Sequence, residues 1–378
     1  MHLNLTLPNR DAGFSFLVPN FAAQNEQFRE AFGILESAIA DHAFPACSLS
    51  VGFRGELIAH KALGHFTYDP TSPAVQTASI FDLASLTKVL ATTAMAMVLY
   101  EHGLLDLEAP ATAIVPEFIA NDDRRQEVTL RMLLAHSSGL PSYEKLFQHG
   151  KNREDLLQAA FATELTAAPG DRFEYSDIGF IILGVVLERL ADEPMDVFCQ
   201  REIFGPLGMA HTTFNPTNAL QDSIPPTADD RTFRHRVIQG EVQDENASIL
   251  GGVAAHAGLF STAEDLAIFG HAMINGGYPI LRSATVELFS RRQNAPQGTS
   301  RALGWDTPSG SSQAGAYFSP RCFGHLGYTG TSIWIDSGRQ ISVALLTNRT
   351  WPDCQNQAIK QVRPAFHDAV IKALGTSA

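Results

Sequence analysis

A serine and a lysine spaced three residues apart, Ser85 and Lys88, could carry out nucleophilic chemistry. They stand at a turn that leads into an apolar run at residues 89–100, which predicts a buried helix starting near Ser85. Residues three apart on a helix share a face, so the Lys88 amine can reach the Ser85 hydroxyl. Because burial lowers the pKa of a lysine, such an amine can take the serine proton as the oxygen attacks a carbonyl. The unpaired N–H groups of a helix start suit the oxyanion that would develop.

The same spacing occurs a second time, at Ser142 and Lys145. Serine is a favoured helix cap, so the bare pattern more often marks a capped helix with a solvated lysine. Glycine and proline at residues 139–141 predict an exposed loop around Ser142. The predicted burial of the following helix therefore favours Ser85 over Ser142.

A tyrosine and an aspartate, Tyr175 and Asp177, form a second polar cluster. They follow a Pro-Gly break at residues 169–170 and precede an apolar helical pattern at residues 178–187. A tyrosine at a helix entrance usually packs its ring on the core and keeps its hydroxyl in water. This cluster alone therefore does not predict catalysis.

The third cluster contains His325, Gly327 and Tyr328 within a glycine- and threonine-rich stretch at residues 323–331. The stretch leads into a predicted strand at residues 332–336, and glycines beside a strand indicate close backbone approach by another group. Taken alone, it fits a glycine-rich loop with a surface histidine equally well.

Taken together and in order, the three clusters resemble the serine β-lactamase and penicillin-binding protein superfamily. The class C, D-Ala-D-Ala peptidase and family VIII esterase branches are the most similar. Members carry S-x-x-K at a helix start, Y-x-N on a loop of a helical domain, and K-T-G or H-x-G on a sheet strand. Similar flanking segments occur at residues 80–84, 133–140, 169–175, 250–252 and 256–262, and the resemblance extends over about residues 46–347.

The resemblance implies a role for each matching residue. Ser85 would attack a carbonyl and form an acyl-enzyme, while Lys88 and Tyr175 would share the general-base task. Tyr175 would return a proton to the leaving group, and the backbone N–H groups of Ser85 and Tyr328 would form the oxyanion hole. His325 would occupy the cationic or proton-relaying position on the strand. A water molecule would then release the acyl group.

Two positions depart from the family pattern. Asp177 replaces the usual asparagine. If Asp177 is ionised, it would keep Lys88 protonated and make it a weaker base. If Asp177 is protonated, its carboxyl group would partly mimic the asparagine side-chain amide. We expect Asp177 to lower activity on amides. Leu326 replaces the Thr or Ser that binds a substrate carboxylate, unless Thr329 or Thr331 supplies the hydroxyl. This second departure favours an esterase-like hydrolase over a β-lactamase or D-Ala-D-Ala peptidase.

We therefore predict a serine hydrolase that acts through an acyl-enzyme on an ester or amide/lactam carbonyl, with an esterase-like activity favoured. The alternatives are a β-lactamase or D-Ala-D-Ala carboxypeptidase, and a catalytically silent relative that binds peptidoglycan fragments or a protein partner. The expected substrate is a small-molecule ester, a β-lactam or a D-amino-acid peptide. Residues 215–250 and 292–320 are expected to line the cleft and set this choice.

Composition and motifs exclude several other classes. The formal charge of −13 opposes nucleic-acid binding, which requires clustered Lys and Arg. No G-x-S-x-G, H-E-x-x-H, G-x-G-x-x-G or P-loop occurs, so we expect no metal and no cofactor. A hydrogen-bonded structural role is more typical than metal ligation for His136 and His256. The four cysteines lack disulfide or zinc spacing.

The N-terminal sequence has neither a basic n-region nor an apolar h-region. We therefore expect a cytoplasmic protein, or a periplasmic or secreted one if a leader was removed. No apolar run is long enough to span a membrane. The sequence does not specify an oligomeric state.

The elements that must position the three clusters follow from hydrophobic periodicity. We predict an α+β fold: a β-lactamase-like antiparallel sheet, flanked by N- and C-terminal helices, with an inserted, mostly helical domain. The sheet domain would comprise residues 1–80 and 292–378, the inserted domain residues 81–291, and the active site would lie between them. Residues 1–23 are expected to form an irregular arm. Predicted helices lie at about 25–39, 85–102, 129–135, 152–166, 177–191, 263–275 and 356–374, and predicted strands at 48–53, 56–60, 332–336 and 340–347.

Overall fold

The structure, a computed structural model, describes residues 17–310 and 312–375. Most of the expected N-terminal arm lies outside these ranges. Its described end contains a two-residue strand that pairs in parallel with the edge of the main sheet. The strands are β1 (Val18–Pro19), β2 (Ala46–Phe53), β3 (Glu56–Gly64), β4 (Phe81–Asp82), β5 (Thr213–Phe214), β6 (Ala228–Asp230), β7 (Arg236–Ile238), β8 (Leu259–Ser261), β9 (Phe323–Leu326), β10 (Ser332–Asp336) and β11 (Ile341–Thr347).

Six strands from the two ends of the chain form one sheet in the order β1-β3-β2-β11-β10-β9. All its pairings are antiparallel except that of β1 with β3. The hairpin predicted around residues 54–55 is present as β2 and β3, and β10 has the predicted bounds. Strands β4, β8 and β5 form a small second sheet, and β6 and β7 a third.

Helices account for most of the middle of the chain. The α-helices are α1 (Gln24–Gln27), α2 (Arg29–Ala40), α3 (Ala94–Glu101), α4 (Leu130–Leu134), α5 (Arg153–Ala162), α6 (Asp177–Ala191), α7 (Met195–Cys199), α8 (Gly205–Leu207), α9 (Glu245–Ile249), α10 (Ala263–Ile274), α11 (Ser283–Ser290) and α12 (Ile359–Ala373). None of the helices in residues 17–310 and 312–375 is long and apolar enough to cross a membrane.

Both faces of the main sheet are covered, as alternate residues of β11 demonstrate. Ile341, Val343 and Leu345 face a core that includes α2 and α12, whereas Ala344 and Leu346 face the core that contains the central helices. Successive side chains of a strand point to opposite faces, so a strand buried on both sides is apolar throughout. The expected α+β sheet flanked by N- and C-terminal helices is confirmed.

Helix α10 packs against the face of the sheet opposite α2 and α12. Small residues allow the close approach: Ser50 Oγ donates to Ala263 O at 2.6 Å, and a Cβ on Gly270 would lie 2.7 Å from the Ser342 Cβ. This helix belongs to the 81–291 segment by sequence. The two-domain division stays a prediction.

Candidate active site

The chain around Ser85 is helical but not a regular α-helix. A 3₁₀ turn at Ala84–Leu86 is followed by a π-helical segment at Lys88–Thr93, and the α-helix begins only at α3. Such π segments are common at functional sites. Just before the serine, Ala84 has φ of 47°, a left-handed conformation that is strained for a residue with a side chain.

The buried carboxylate of Asp82 holds this strained turn. Its Oδ1 accepts from Ala84 N at 2.8 Å, and its Oδ2 accepts from Gln243 N at 2.7 Å. Burial raises the pKa of Asp82 to about 6, although these two hydrogen bonds act in the opposite direction. Asp82 therefore fixes the Ser85 backbone, a role that the sequence pattern did not indicate.

Lys88 has no solvent-exposed surface, as the apolar helix pattern predicted. Its Nζ donates to Ser85 Oγ at 3.0 Å and to the carbonyl oxygen of His256 at 2.9 Å. The third neighbour is Asp177, whose Oδ1 lies 2.6 Å from the same nitrogen. The ammonium thus makes two hydrogen bonds, to Ser85 and His256, and one ion pair, to Asp177.

The expectation that burial gives Lys88 a lowered pKa is wrong. Desolvation does act in that direction, but the negative charge of Asp177, together with Tyr175, more than offsets it. The pKa of Lys88 is therefore raised. Lys88 is an ammonium at neutral pH, which agrees with the alternative that an ionised Asp177 keeps it protonated.

Tyr175 reaches the same serine from the opposite side. Its hydroxyl donates to Ser85 Oγ at 2.9 Å, and burial raises its pKa. The following residue, Ser176, caps helix α6 by accepting from Gly179 N at 3.0 Å. The structure thus brings Ser85, Lys88, Tyr175 and Asp177 together; the catalytic roles assigned to them stay predictions.

His136 supports the tyrosine. Its Nδ1 accepts from Ser176 N at 3.0 Å, so its proton lies on Nε2. Its ring contacts those of Tyr175, with centroids 4.7 Å apart, and Phe180, with centroids 4.9 Å apart. Burial lowers the pKa of His136 well below its usual range, so the ring is neutral. The predicted structural role is present, and it positions a residue of the site.

His256 is the other histidine predicted to be structural, and it also lies next to the site. Its Nε2 lies 2.9 Å from Asp244 Oδ1, an oxygen that also caps α9 by accepting from Ala247 N at 2.7 Å. Among the described residues, no group of histidine, cysteine, aspartate or glutamate has the arrangement of a metal site.

The loop between β9 and β10 is hydrogen-bonded directly to the turn that precedes Ser85. Thr329 Oγ1 donates to Asp82 O at 2.7 Å, and Thr331 Oγ1 donates to Leu83 O at 2.9 Å. A Cβ at Gly327 would lie 2.0 Å from the Thr331 hydroxyl, so only glycine fits there. Both threonines are fully buried, so neither hydroxyl replaces the missing one at position 326.

His325 lies on β9 at the wall of the cleft, and its Nδ1 lies 2.8 Å from Leu326 O, so that this nitrogen carries the proton. Burial lowers the pKa of His325 well below its usual range, and the charges of Arg301 and Lys88 act in the same direction. The ring is therefore neutral at pH 7, and of the two predicted roles only the proton-relaying one is compatible with it.

Ser85, Tyr175, Asp177 and His325 line one cleft with a volume of about 600 Å³. Tyr143 and several residues after position 348 line it in addition to members of the two predicted segments. By contrast, Ser142 and Lys145 are exposed on a loop, as expected. The lining residues are Ala84, Ser85, Tyr143, Tyr175, Asp177, Gln243, Asp244, Glu245, Ala257, Arg301, Asp306, Gln313, His325, Leu326, Gly327, Tyr328, Arg349, Cys354, Gln357, Ile359, Lys360 and Arg363.

The family model described as Beta-lactamase matches residues 29–363. The chain therefore belongs to the β-lactamase family, and the resemblance to the serine β-lactamase and penicillin-binding protein superfamily is confirmed. It is a serine hydrolase of that superfamily.

Individual relatives agree with this assignment. The chain is 32% identical to an N-acetylmuramyl-L-alanine amidase of Bacillus subtilis (strain 168), over 86% of this chain and 81% of the relative. It is 31% identical to a Salmonella agona (strain SL483) protein named as a D-alanyl-D-alanine carboxypeptidase, over 82% and 80%. Its fold matches that of EstCE1, a hydrolase with promiscuous acyltransferase activity, with a TM-score of 0.75, 21% identity, and coverage of 92% of this chain and 100% of the other.

Proposed function

We propose that this protein hydrolyses ester bonds through an acyl-enzyme formed on Ser85. The observation that carries the proposal is the 2.6 Å contact between Lys88 Nζ and Asp177 Oδ1, which keeps the lysine protonated. A protonated lysine is a weak base, and this penalises amides more than esters. An alcohol leaves with less help from a proton donor than an amine does.

In the resting site Ser85 Oγ accepts from both Lys88 and Tyr175. A proton must therefore leave the lysine before the serine can be deprotonated. Asp177 is the acceptor in contact, so it takes one proton from Lys88, and the neutral amine then takes the Ser85 proton during attack. Tyr175 passes its proton to the leaving alcohol and recovers one from Lys88. Water then attacks the acyl group by the reverse sequence.

The β9 side of the cleft supports the same preference. Leu326 cannot hydrogen-bond a carboxylate, and the hydroxyls of Thr329 and Thr331 donate to backbone carbonyls. The cleft therefore lacks the side-chain hydroxyl that usually binds the carboxylate of a β-lactam or D-alanyl peptide in this family. An ester that has no carboxylate does not need this hydroxyl for binding.

The test is formation of a covalent adduct followed by substrate comparison. Intact mass after incubation with a fluorophosphonate probe should increase by one adduct in the wild type and not in Ser85→Ala. Lack of any adduct would instead favour a binding protein without catalysis. A short-chain p-nitrophenyl ester should be turned over faster than a chromogenic cephalosporin, and the opposite preference would refute the ester proposal.

The second candidate is hydrolysis of an amide bond in a peptidoglycan fragment. The amidase and carboxypeptidase relatives, at 32% and 31% identity, favour it. Release of peptide from a muramyl-peptide, in an amount that Ser85→Ala abolishes and that exceeds ester turnover at equal concentration, would favour this candidate over the first.

A further inference from the structure

A second cavity, with a volume of about 400 Å³, lies beside the cleft that contains Ser85. It is lined by the β6–β7 hairpin, the start of α9 and the segment that follows β11. Gln243, Glu245 and Cys354 line both cavities and therefore form the border between them. A substrate that fills the cleft can extend past this border into the second cavity.

Carboxylates outnumber cations in the second cavity, and its cations are already paired. Four carboxylates and two arginines line it. Arg234 Nε donates to Asp230 Oδ2 at 3.0 Å, and its terminal nitrogens donate to two backbone carbonyls. Arg231 Nη2 lies 2.6 Å from Asp229 Oδ2. These four side chains compensate one another, so the other two carboxylates determine the charge of the cavity.

The other two carboxylates are those of Glu245 and Asp353, and neither forms an ion pair with a described residue. Asp353 is exposed, and its Oδ1 accepts from Gln355 N at 2.9 Å. Glu245 is half-buried, and no side chain in the described ranges donates a hydrogen bond to it. Burial raises the pKa of Glu245, and the charge of Asp244 acts in the same direction. A ligand cation beside Glu245 would offset both effects.

Thr350 provides a second, independent indication of a ligand. It has no solvent-exposed surface and lines the second cavity. Its Oγ1 has no hydrogen-bond partner among the described residues. Buried hydroxyl groups are normally hydrogen-bonded, so an unpartnered one beside a cavity indicates that a ligand supplies the partner. A threonine oxygen accepts hydrogen bonds and an ammonium has three N–H donors, so the two groups match.

On the cleft side of the border, the ring of Tyr143 also favours a cation. The ring is half-exposed and lines the cleft. Burial raises the pKa of the Tyr143 hydroxyl, and the charges of Asp244 and Glu245 act in the same direction. The face of a tyrosine ring attracts an ammonium. Arg349 also lines the cleft, but its guanidinium is stacked on the ring of Tyr328 and donates to three backbone carbonyls, so it does not pair with Glu245.

We propose that the second cavity binds an ammonium group at the far end of the acyl part of the substrate, with Glu245 as its counter-ion. This rests on the proposed function, because the acyl-enzyme defines which part of the substrate is the acyl part. Arg349 joins the border to Tyr328, the predicted oxyanion donor, through hydrogen bonds to Cys354 O and Tyr328 O. The leaving group is assigned to Tyr175 instead, so the acyl part is the part next to the border. The substrate class is thus an ester of a carboxylic acid that carries a terminal amine.

The test uses two esters of equal chain length, p-nitrophenyl 8-aminooctanoate and p-nitrophenyl nonanoate, in which a methyl group replaces the ammonium. Acylation is followed as release of p-nitrophenol, with Ser85→Ala as the blank for spontaneous hydrolysis. In Glu245→Gln, the ratio of kcat/KM on the amino ester to kcat/KM on the nonanoate should fall by about tenfold or more, because a hydrogen bond between charged groups is lost. The fall should come mainly from a higher KM for the amino ester. Glu245→Asp keeps the charge on a shorter side chain and should retain part of the ratio.

The matched control is Glu264→Gln, which removes an equal charge from the first turn of another helix, α10, at an exposed position outside both cavities. It should leave the ratio unchanged. An unchanged ratio in Glu245→Gln, or an equal fall in Glu264→Gln, would overturn the inference. Labelling of Ser85 by a fluorophosphonate without acylation by either ester would also overturn it. Thermal melting checks that Glu245→Gln folds, and Glu245→Asp provides a milder variant. If Ser85 takes no fluorophosphonate and neither ester is hydrolysed, the proposed function itself fails.

Discussion

The Asp177 carboxylate lies 2.6 Å from the Lys88 amine, and the same buried amine donates a hydrogen bond to the Ser85 hydroxyl. Asp177 is the first residue of α6, where the helix dipole favours a negative charge. An asparagine at this position would accept a hydrogen bond without contributing charge. The aspartate therefore adds a negative charge beside the buried Lys88 amine.

Replacement of Asp177 by asparagine should lower the pKa of Lys88, because burial would then act without an opposing negative charge. We expect the rising limb of the pH–rate profile to move to lower pH. Amide and β-lactam acylation at pH 7 should rise by about tenfold or more relative to ester acylation. Stopped-flow acylation rates measured from pH 6 to about 10 would test this. Unchanged rates on esters and β-lactams would contradict the role given to Asp177.

We expect the buried Asp82 carboxyl group to make the stability of the folded protein depend on pH. Its pKa is raised in the folded state from 3.8 to about 6, chiefly by burial. A raised folded-state pKa means that the protonated form favours folding, so this contribution is complete below 3.8 and is lost as the pH rises through about 6. The loss is about 3 kcal/mol. Urea unfolding across this pH range should show the fall in unfolding free energy in the wild type but not in Asp82→Asn. The same pH dependence in both proteins would refute the role of Asp82.

We expect His136 to hold the phenol of Tyr175 in position. Replacing His136 with phenylalanine keeps a ring but leaves the Ser176 N–H without its acceptor, which costs about 1–3 kcal/mol. The displaced phenol should slow fluorophosphonate labelling of Ser85 by about 10- to 100-fold. His136→Gln, which retains an acceptor, should lose less. Equal labelling rates in wild type and His136→Phe would exclude this role.

The threonine contacts of the β9–β10 loop predict coupling between that loop and the turn that precedes Ser85. Thr331→Val preserves the shape of the side chain but leaves the buried Leu83 carbonyl without its hydroxyl donor. We expect a loss of about 1–2 kcal/mol in unfolding free energy and a lower kcat, since Tyr328 of the same loop is the predicted oxyanion donor. Equilibrium unfolding and steady-state kinetics measure the two effects. If Thr331→Val lowered stability but left kcat unchanged, the contact between the loop and the turn would not contribute to catalysis.

Strong local patterns allowed the positions of several elements to be predicted well. Helix α6 occupies the predicted residues 177–191 because a continuous apolar run follows a capping serine, Ser176. Strands β4, β5 and β8 were not predicted, since elements of two or three residues have no measurable periodicity. Their pairing is decided by tertiary contacts, such as that of Asp82 with Phe260.

The residues that support the site were missed for a related reason. Ser85, Lys88 and Tyr175 belong to short motifs, so their types and order could be recognised. Asp82 acts through Gln243, 161 residues away in the sequence, and no local spacing encodes that contact. The same holds for Arg301, whose proximity to Tyr175 results from folding alone.

Leu326 offers a gain-of-function prediction that bears on ester selectivity. It is half-buried, lines the cleft and pairs with Ser332 across β9 and β10. Leu326→Thr would place a hydroxyl where the family usually binds a carboxylate. Because a hydrogen bond to a charged group is worth about 1.5–3 kcal/mol, acylation by a carboxylate-bearing cephalosporin should rise by about tenfold or more. Leu326→Val, which removes similar volume without adding a hydroxyl, is the matched control. The rate on a neutral p-nitrophenyl ester should change equally in both variants. If cephalosporin acylation rose as much in Leu326→Val as in Leu326→Thr, cleft volume rather than the absent hydroxyl would limit lactam turnover.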